Sequence, residues 1–126
     1  MGTTLVIACA ERGEVTIELN ATKTAKRIFD ALPFEAEAET WGEEVYFSTP
    51  LSIPQEQGTL GVAVGDVGWW PPGSALALFF GRTPASSGPK PVPASEVTVI
   101  GRVTAGLDVL RTVEPGDALT LRGGEI

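Results

Sequence analysis

Hydrophobic and polar residues alternate along much of this chain, and a period of two predicts strands. In Glu14-Val15-Thr16-Ile17-Glu18-Leu19 the apolar residues Val15, Ile17 and Leu19 share one face. Thr4 to Cys9 is β-branched and apolar, and predicts a first strand joined to the second by a turn at Arg12-Gly13. The period then changes. Ala25, Ile28, Phe29 and Leu32 fall at helical spacing, with Asn20 and Thr22 as candidate caps and Pro33 as the stop. Alternation returns in Glu35 to Trp41, a strand with a wet acidic face, and Gly42 marks a bend before Glu43 to Phe47. Ser48 to Gly58 carries Pro50 and Pro54 and predicts a loop, and Leu60 to Val64 predicts a strand. Gly65-Asp66 reads as a turn, and Val67 to Gly73 as a stiff aromatic connector. Ala75 to Phe80, the most apolar segment, predicts a central strand, followed by an irregular loop from Gly81 to Ser95. Val97 to Val103 predicts a strand, Leu107 to Val113 a short helix, and Ala118 to Leu121 a closing strand. No βαβ rhythm is present. The expected fold is therefore mainly β: a closed antiparallel barrel with two short helices, one domain spanning residues 1–126.

Charge narrows the choice of partners. The net charge is −7, and residues 1–60 hold ten acids against four bases. An acidic chain without a basic cluster is poorly matched to phosphate backbones, so nucleic acid and anionic membranes are not expected partners. No apolar run reaches the length of about 18 residues that a membrane span needs, and the run Leu5 to Cys9 is too short for a signal segment. The chain has no histidine, which removes imidazole-based triads and most zinc sites, and no motif calls for a cofactor. Its one cysteine, Cys9, cannot form an internal disulfide and is expected to be a buried structural thiol. A cytoplasmic location follows from these features as an expectation.

Several stretches, taken in order, carry a family likeness. Gly13 to Leu19, then Lys23-Thr24-Ala25 and Phe29-Asp30-Ala31-Leu32, resemble the opening strand and helix of cyclophilins. Gly101-Arg102-Val103 with Gly106 to Leu110 resembles their closing segment. Trp41-Gly42-Glu43-Glu44-Val45-Tyr46-Phe47, Gly65-Asp66, Trp69-Trp70-Pro71-Pro72-Gly73, Phe79 to Pro84 and Pro93-Ala94-Ser95 are similar to a small prokaryotic cyclophilin-like family of unknown function. That resemblance covers nearly the whole chain and implies a closed barrel capped by two helices. Cyclophilins resemble one another in an arginine and a histidine at the isomerase pocket. The matching strand, Glu44 to Phe47, has neither. Prolyl isomerisation needs a charged donor near the prolyl nitrogen, so this departure argues against strong isomerase activity and leaves enzymatic function open.

The leading expectation is a barrel that binds a small molecule or short peptide in an aromatic pocket. Weak isomerase activity with Arg82 as a relocated cation is the alternative. A third reading makes the Pro-Trp surface an interface between copies of the chain. The candidate binding residues are Tyr46, Trp69, Trp70, Phe79 and Arg82 at a barrel mouth, with Ala63 and Leu78 as walls. Both tryptophans could instead pack beneath the next strand, and Arg82 could be a surface arginine. Glu43, Glu44 and Asp66 are candidate general acids, none with an evident paired partner, and Asp66 also suits a turn. Glu35, Glu37 and Glu39 lack metal-ligand spacing.

Overall fold

A computed structural model describes residues 3–124 of the chain. In chain order the strands are β1 (Thr3–Cys9), β2 (Gly13–Leu19), β3 (Phe34–Glu37), β4 (Glu39–Thr40), β5 (Glu44–Ser48), β6 (Asp66–Trp70), β7 (Ala75–Phe79), β8 (Thr98–Ala105) and β9 (Ala118–Gly123). Helix α1 (Lys23–Asp30) follows β2, and α2 (Leu107–Leu110) follows β8. They form one antiparallel sheet in the order β3-β9-β1-β2-β8-β6-β7-β5-β4.

The two edges of that order are neighbours in sequence, and this nearly closes the barrel. Phe34 to Glu37 pairs with β9, from Phe34 opposite Leu121 to Glu37 opposite Ala118. Two residues on, Glu39 pairs with Tyr46 and Thr40 with Val45 of β5. One extended stretch thus hands over from the last strand to the fifth, with Ala38 fully buried at the transfer and its N–H bonded to Asp117 O at 2.9 Å. The wet acidic face expected for this stretch is present: Glu35, Glu37 and Glu39 are exposed.

Inward positions of every long strand converge on a common core. Leu5, Ile7, Val15, Ile17, Val45, Phe47, Val67, Trp69, Leu76, Leu78, Ile100, Leu119 and Leu121 belong to it. The helices occupy opposite ends of β2. Helix α1 leaves its C-terminal end, and α2 leaves β8 beyond Ala105, which pairs with Thr16 near the start of β2. Helix α1 begins at a Thr22 cap whose hydroxyl accepts from the Ala25 N–H at 3.1 Å. A second cap comes from far along the chain: Glu56 accepts from the Thr24 N–H at 2.9 Å and from the Thr24 hydroxyl at 2.7 Å. Those bonds hold the Glu56 carboxyl below the usual carboxylate range, and they tie the loop after β5 to the helix.

Two segments differ from their sequence reading. Leu60 to Val64 is irregular rather than a strand, with Leu60 51% and Val64 40% exposed, and only Thr59 bridges to Val97. Within that run only Val62 is buried, in a cluster with Ala77, Phe79 and Val97. Conversely, Val67 to Trp70 is a central strand, paired to β7 and β8, rather than a connector. Gly68 belongs there because Val97 lies directly above it: a Cβ at Gly68 would stand 2.8 Å from a Val97 methyl. Among the described residues no helix is long and apolar enough to cross a membrane.

Candidate functional site

Strand alternation sends half of β5, β6 and β7 outward, and outside the barrel those residues meet one another. On β5 the outward pair is Glu44 and Tyr46, and their partners across the ladder are Phe79 and Ala77 of β7. Ala77 faces Gly68 of β6, and Ala75 faces Trp70. Ala75, Ala77 and Phe79 are nonetheless buried, because the chain returns over them. The loop from Gly81 to Ser95 is stitched to itself: Ser86 Oγ donates to Lys90 O at 2.7 Å, and Thr83 Oγ1 donates to Val92 O. It delivers Pro93, Ala94 and then Val97 above the sheet.

A cavity of about 220 Å³ lies between this cover and the sheet. Trp41 from the turn before β5, Glu44, Tyr46, Trp70 and Phe79 line it, above a small-residue floor of Ala75 and Ala77. Its lining is apolar and aromatic apart from one carboxyl and one phenol. The Trp70 indole N–H is committed to Ser95 Oγ at 2.6 Å, which fixes that wall.

Glu44 is the chemical focus. It is 7% exposed, and its Oε1 is buried with no hydrogen-bond partner among the described residues. The neighbouring acids are occupied elsewhere. Glu43 takes the Arg82 N–H at 3.0 Å and the Arg111 guanidinium at 3.1 Å, and Asp66 pairs with Arg102 at 2.9 Å. Burial in apolar surroundings penalises the charged carboxylate and pushes Glu44 up to about 7. A buried acceptor left unpaired costs on the order of 1–3 kcal/mol, and a desolvated acid beside a cavity makes Glu44 a candidate site residue.

The candidates named from sequence separate by side. Tyr46, Trp70 and Phe79 line the cavity. Trp69 and Leu78, one residue out of phase, point into the barrel with no exposure, and the Trp69 indole N–H donates to Ile53 O at 2.9 Å. Ala63 is an exposed loop residue whose N–H bonds Asp66 Oδ2 at 2.9 Å. Arg82 is exposed at the strand's end, and its guanidinium reaches Ser86 O at 3.5 Å rather than the cavity. The concavity lies on the barrel's outer wall, not at a mouth. Trp41, Ala75, Ala77, Pro93, Ala94 and Val97 were missing from the sequence candidates. The signal available for Ala75 and Ala77 was the period of two counted back from Phe79, and for Glu44 the same step from Tyr46.

No metal-binding group of three or more acidic or cysteine residues exists among the described residues. Cys9 is buried, and burial together with the charge of Asp117 pushes its thiol up to about 11. Comparison with known proteins agrees with the architecture. Residues 4–122 match the sequence model of the family described as Cyclophilin-like. The solution structure of a hypothetical protein from Archaeoglobus fulgidus is similar, with 38% identity and a TM-score of 0.81 over 96% of this chain and 94% of that one. No curated protein matches.

Proposed function

The chain belongs to the Cyclophilin-like family, and from its outer-wall cavity we propose that it binds a small ligand, with Glu44 as the polar anchor among aromatic walls. The observation that carries this reading is that Glu44, whose buried Oε1 has no partner among the described residues, is the one carboxyl among the residues lining an apolar cavity. Drug-sized ligands fill about 300–1,000 Å³, whereas an engineered apolar cavity of about 150 Å³ holds one benzene ring. A cavity of about 220 Å³ suits a single ring or short branched body with one polar group. Aromatic walls give affinity by burial, and a single fixed polar atom gives orientation.

Mass spectrometry of small molecules released from the purified, denatured protein tests the proposal, with Ala77→Leu as the blocked control. A compound enriched with the natural chain and lost with the variant supports the reading. Equal recovery from both places binding elsewhere.

A further inference from the structure

We propose that the occupant of this cavity is a small organic cation: an ammonium group set against the Glu44 carboxylate, on a compact apolar body held among the aromatic rings. This rests on the pocket reading above and adds the charge class of the ligand.

Three independent observations point the same way. First, the lining supplies an acceptor and no cation. Arg82 and Arg111 are engaged elsewhere, Arg82 on Ser86 O and Arg111 on Glu43 and over the Phe80 ring at 5.6 Å. An anionic ligand would meet only another carboxyl. An ionised Glu44 needs a positive partner, and none of the described residues provides one. Second, four aromatic side chains, Trp41, Tyr46, Trp70 and Phe79, line the same small space. Ring faces attract ammonium groups through their quadrupoles, most strongly where water is excluded. Third, the net charge of −7 raises the local concentration of cations over anions around the molecule.

Binding is then linked to protons. An ammonium ligand stabilises the ionised form, so association removes the proton that burial keeps on Glu44 up to about pH 7. Other titratable groups face Glu44 or its surroundings. Tyr46 on β5 is the second titratable residue of the lining, and Glu39, its partner across from β4, is exposed. Glu43 is held by Arg111, and Glu96, on the covering segment, lies against Gly58. Strands β6 and β7 contribute no titratable residue to the lining.

The three tryptophans make the test internally controlled, since Trp41 and Trp70 line the cavity and Trp69 lies in the core. Nitrogen-15 spectra of the indole N–H groups are followed during titration with benzylammonium, benzyl alcohol, benzoate and Nα-acetyl-lysine methylamide, at pH of about 8.5 and about 5.5. Benzylammonium is expected to move the Trp41 and Trp70 signals, leave Trp69 in place, and bind about tenfold tighter than the alcohol at the higher pH. Its affinity should fall about eightfold at the lower pH, towards that of the alcohol, and Glu44→Gln should erase its advantage over the alcohol. An unmoved Trp69 signal in that variant verifies its fold. The lysine derivative separates sources: affinity matching benzylammonium assigns a peptide lysine, and much weaker affinity assigns a free amine. Alcohol binding as tightly as the amine, or benzoate binding tighter, overturns the cation assignment while the pocket stands. No specific shift with any of the four overturns the pocket reading and the cation with it.

Discussion

Glu44 should give stability a pH dependence opposite in direction to ordinary acid denaturation, and replacing it by glutamine should remove that dependence. In the unfolded chain a glutamate loses its proton near 4.5, whereas in the folded chain burial holds it up to about 7. Between those values the folded state binds more protons than the unfolded state, so stability falls as pH rises. The contribution is whole below about pH 4.5 and is lost as pH passes through about 7. At about 1.4 kcal/mol per unit, the shift is worth up to about 3 kcal/mol. Water entering the open side of the cavity screens part of this, which makes about 2 kcal/mol the working figure. The glutamine variant keeps the shape and removes the titration, and every other acid cancels in the difference between the two proteins. Urea unfolding of both, from about pH 5 to about pH 8.5, reads that difference directly. The variant should gain about 2 kcal/mol relative to wild type across the range, whatever constant offset its amide introduces. A difference flat to within about 0.5 kcal/mol would refute the claim that Glu44 is desolvated and unpaired.

Gly68→Ala would place a methyl 2.8 Å from a side chain, Val97, that is itself only 1% exposed. Overpacking of this kind costs about 1–3 kcal/mol, measurable by urea unfolding, and a variant as stable as wild type would count against the tight seating of Val97. Ala77→Leu extends into the cavity floor and should abolish probe binding in the indole spectra while leaving stability unchanged or raised; retained binding would move the site elsewhere. Native Cys9 should resist dithiobis-nitrobenzoate at about pH 8 while the urea-unfolded chain reacts at once, and comparable rates would contradict its burial. Prolyl isomerase turnover in a protease-coupled assay should fall about 10²–10³ below that of an authentic cyclophilin, because no basic side chain lines the cavity; equal turnover refutes this.

Much of the barrel was legible because two-sided strands write their inner face into the sequence. Val15, Ile17 and Leu19 alternate with Glu14, Thr16 and Glu18, and all three apolar residues are buried. Helix α1 announced itself by period and by the Thr22 cap. Strand β6 was obscured by Gly68 and by the prolines just beyond it, residues that read as connector until Val97 is seen above the glycine. The Glu56 cap on α1 was not legible at all, since it joins residues 32 positions apart through a loop without periodicity. For the site, sequence gave the neighbourhood and missed the side. Choosing Trp69 with Trp70, and Leu78 with Phe79, mixed the two faces of a strand. Counting every second residue from Tyr46 and Phe79 would have kept Glu44 and Ala77 and discarded Leu78.

Strand β7 explains why the cavity exists on the outside of a closed barrel. All five of its residues are buried, although a barrel strand needs only its inner face covered. Leu76 and Leu78 serve the core, and Ala75, Ala77 and Phe79 are buried from the other side by Trp70, Val97 and the segment carrying Pro93. This outer cluster is separate from the core and much smaller. If its task were to add stability, larger residues at positions 75 and 77 would fill the space and recover about 25 cal/mol for each Å² of apolar surface removed from water. Alanines there leave about 220 Å³ unfilled beneath four aromatic rings. Placing an unpaired carboxyl at its edge adds a further cost that a purely structural cluster would avoid by substituting an apolar residue. A void and a desolvated acid are each unfavourable for folding, and their coincidence beneath one cover supports the proposed binding site.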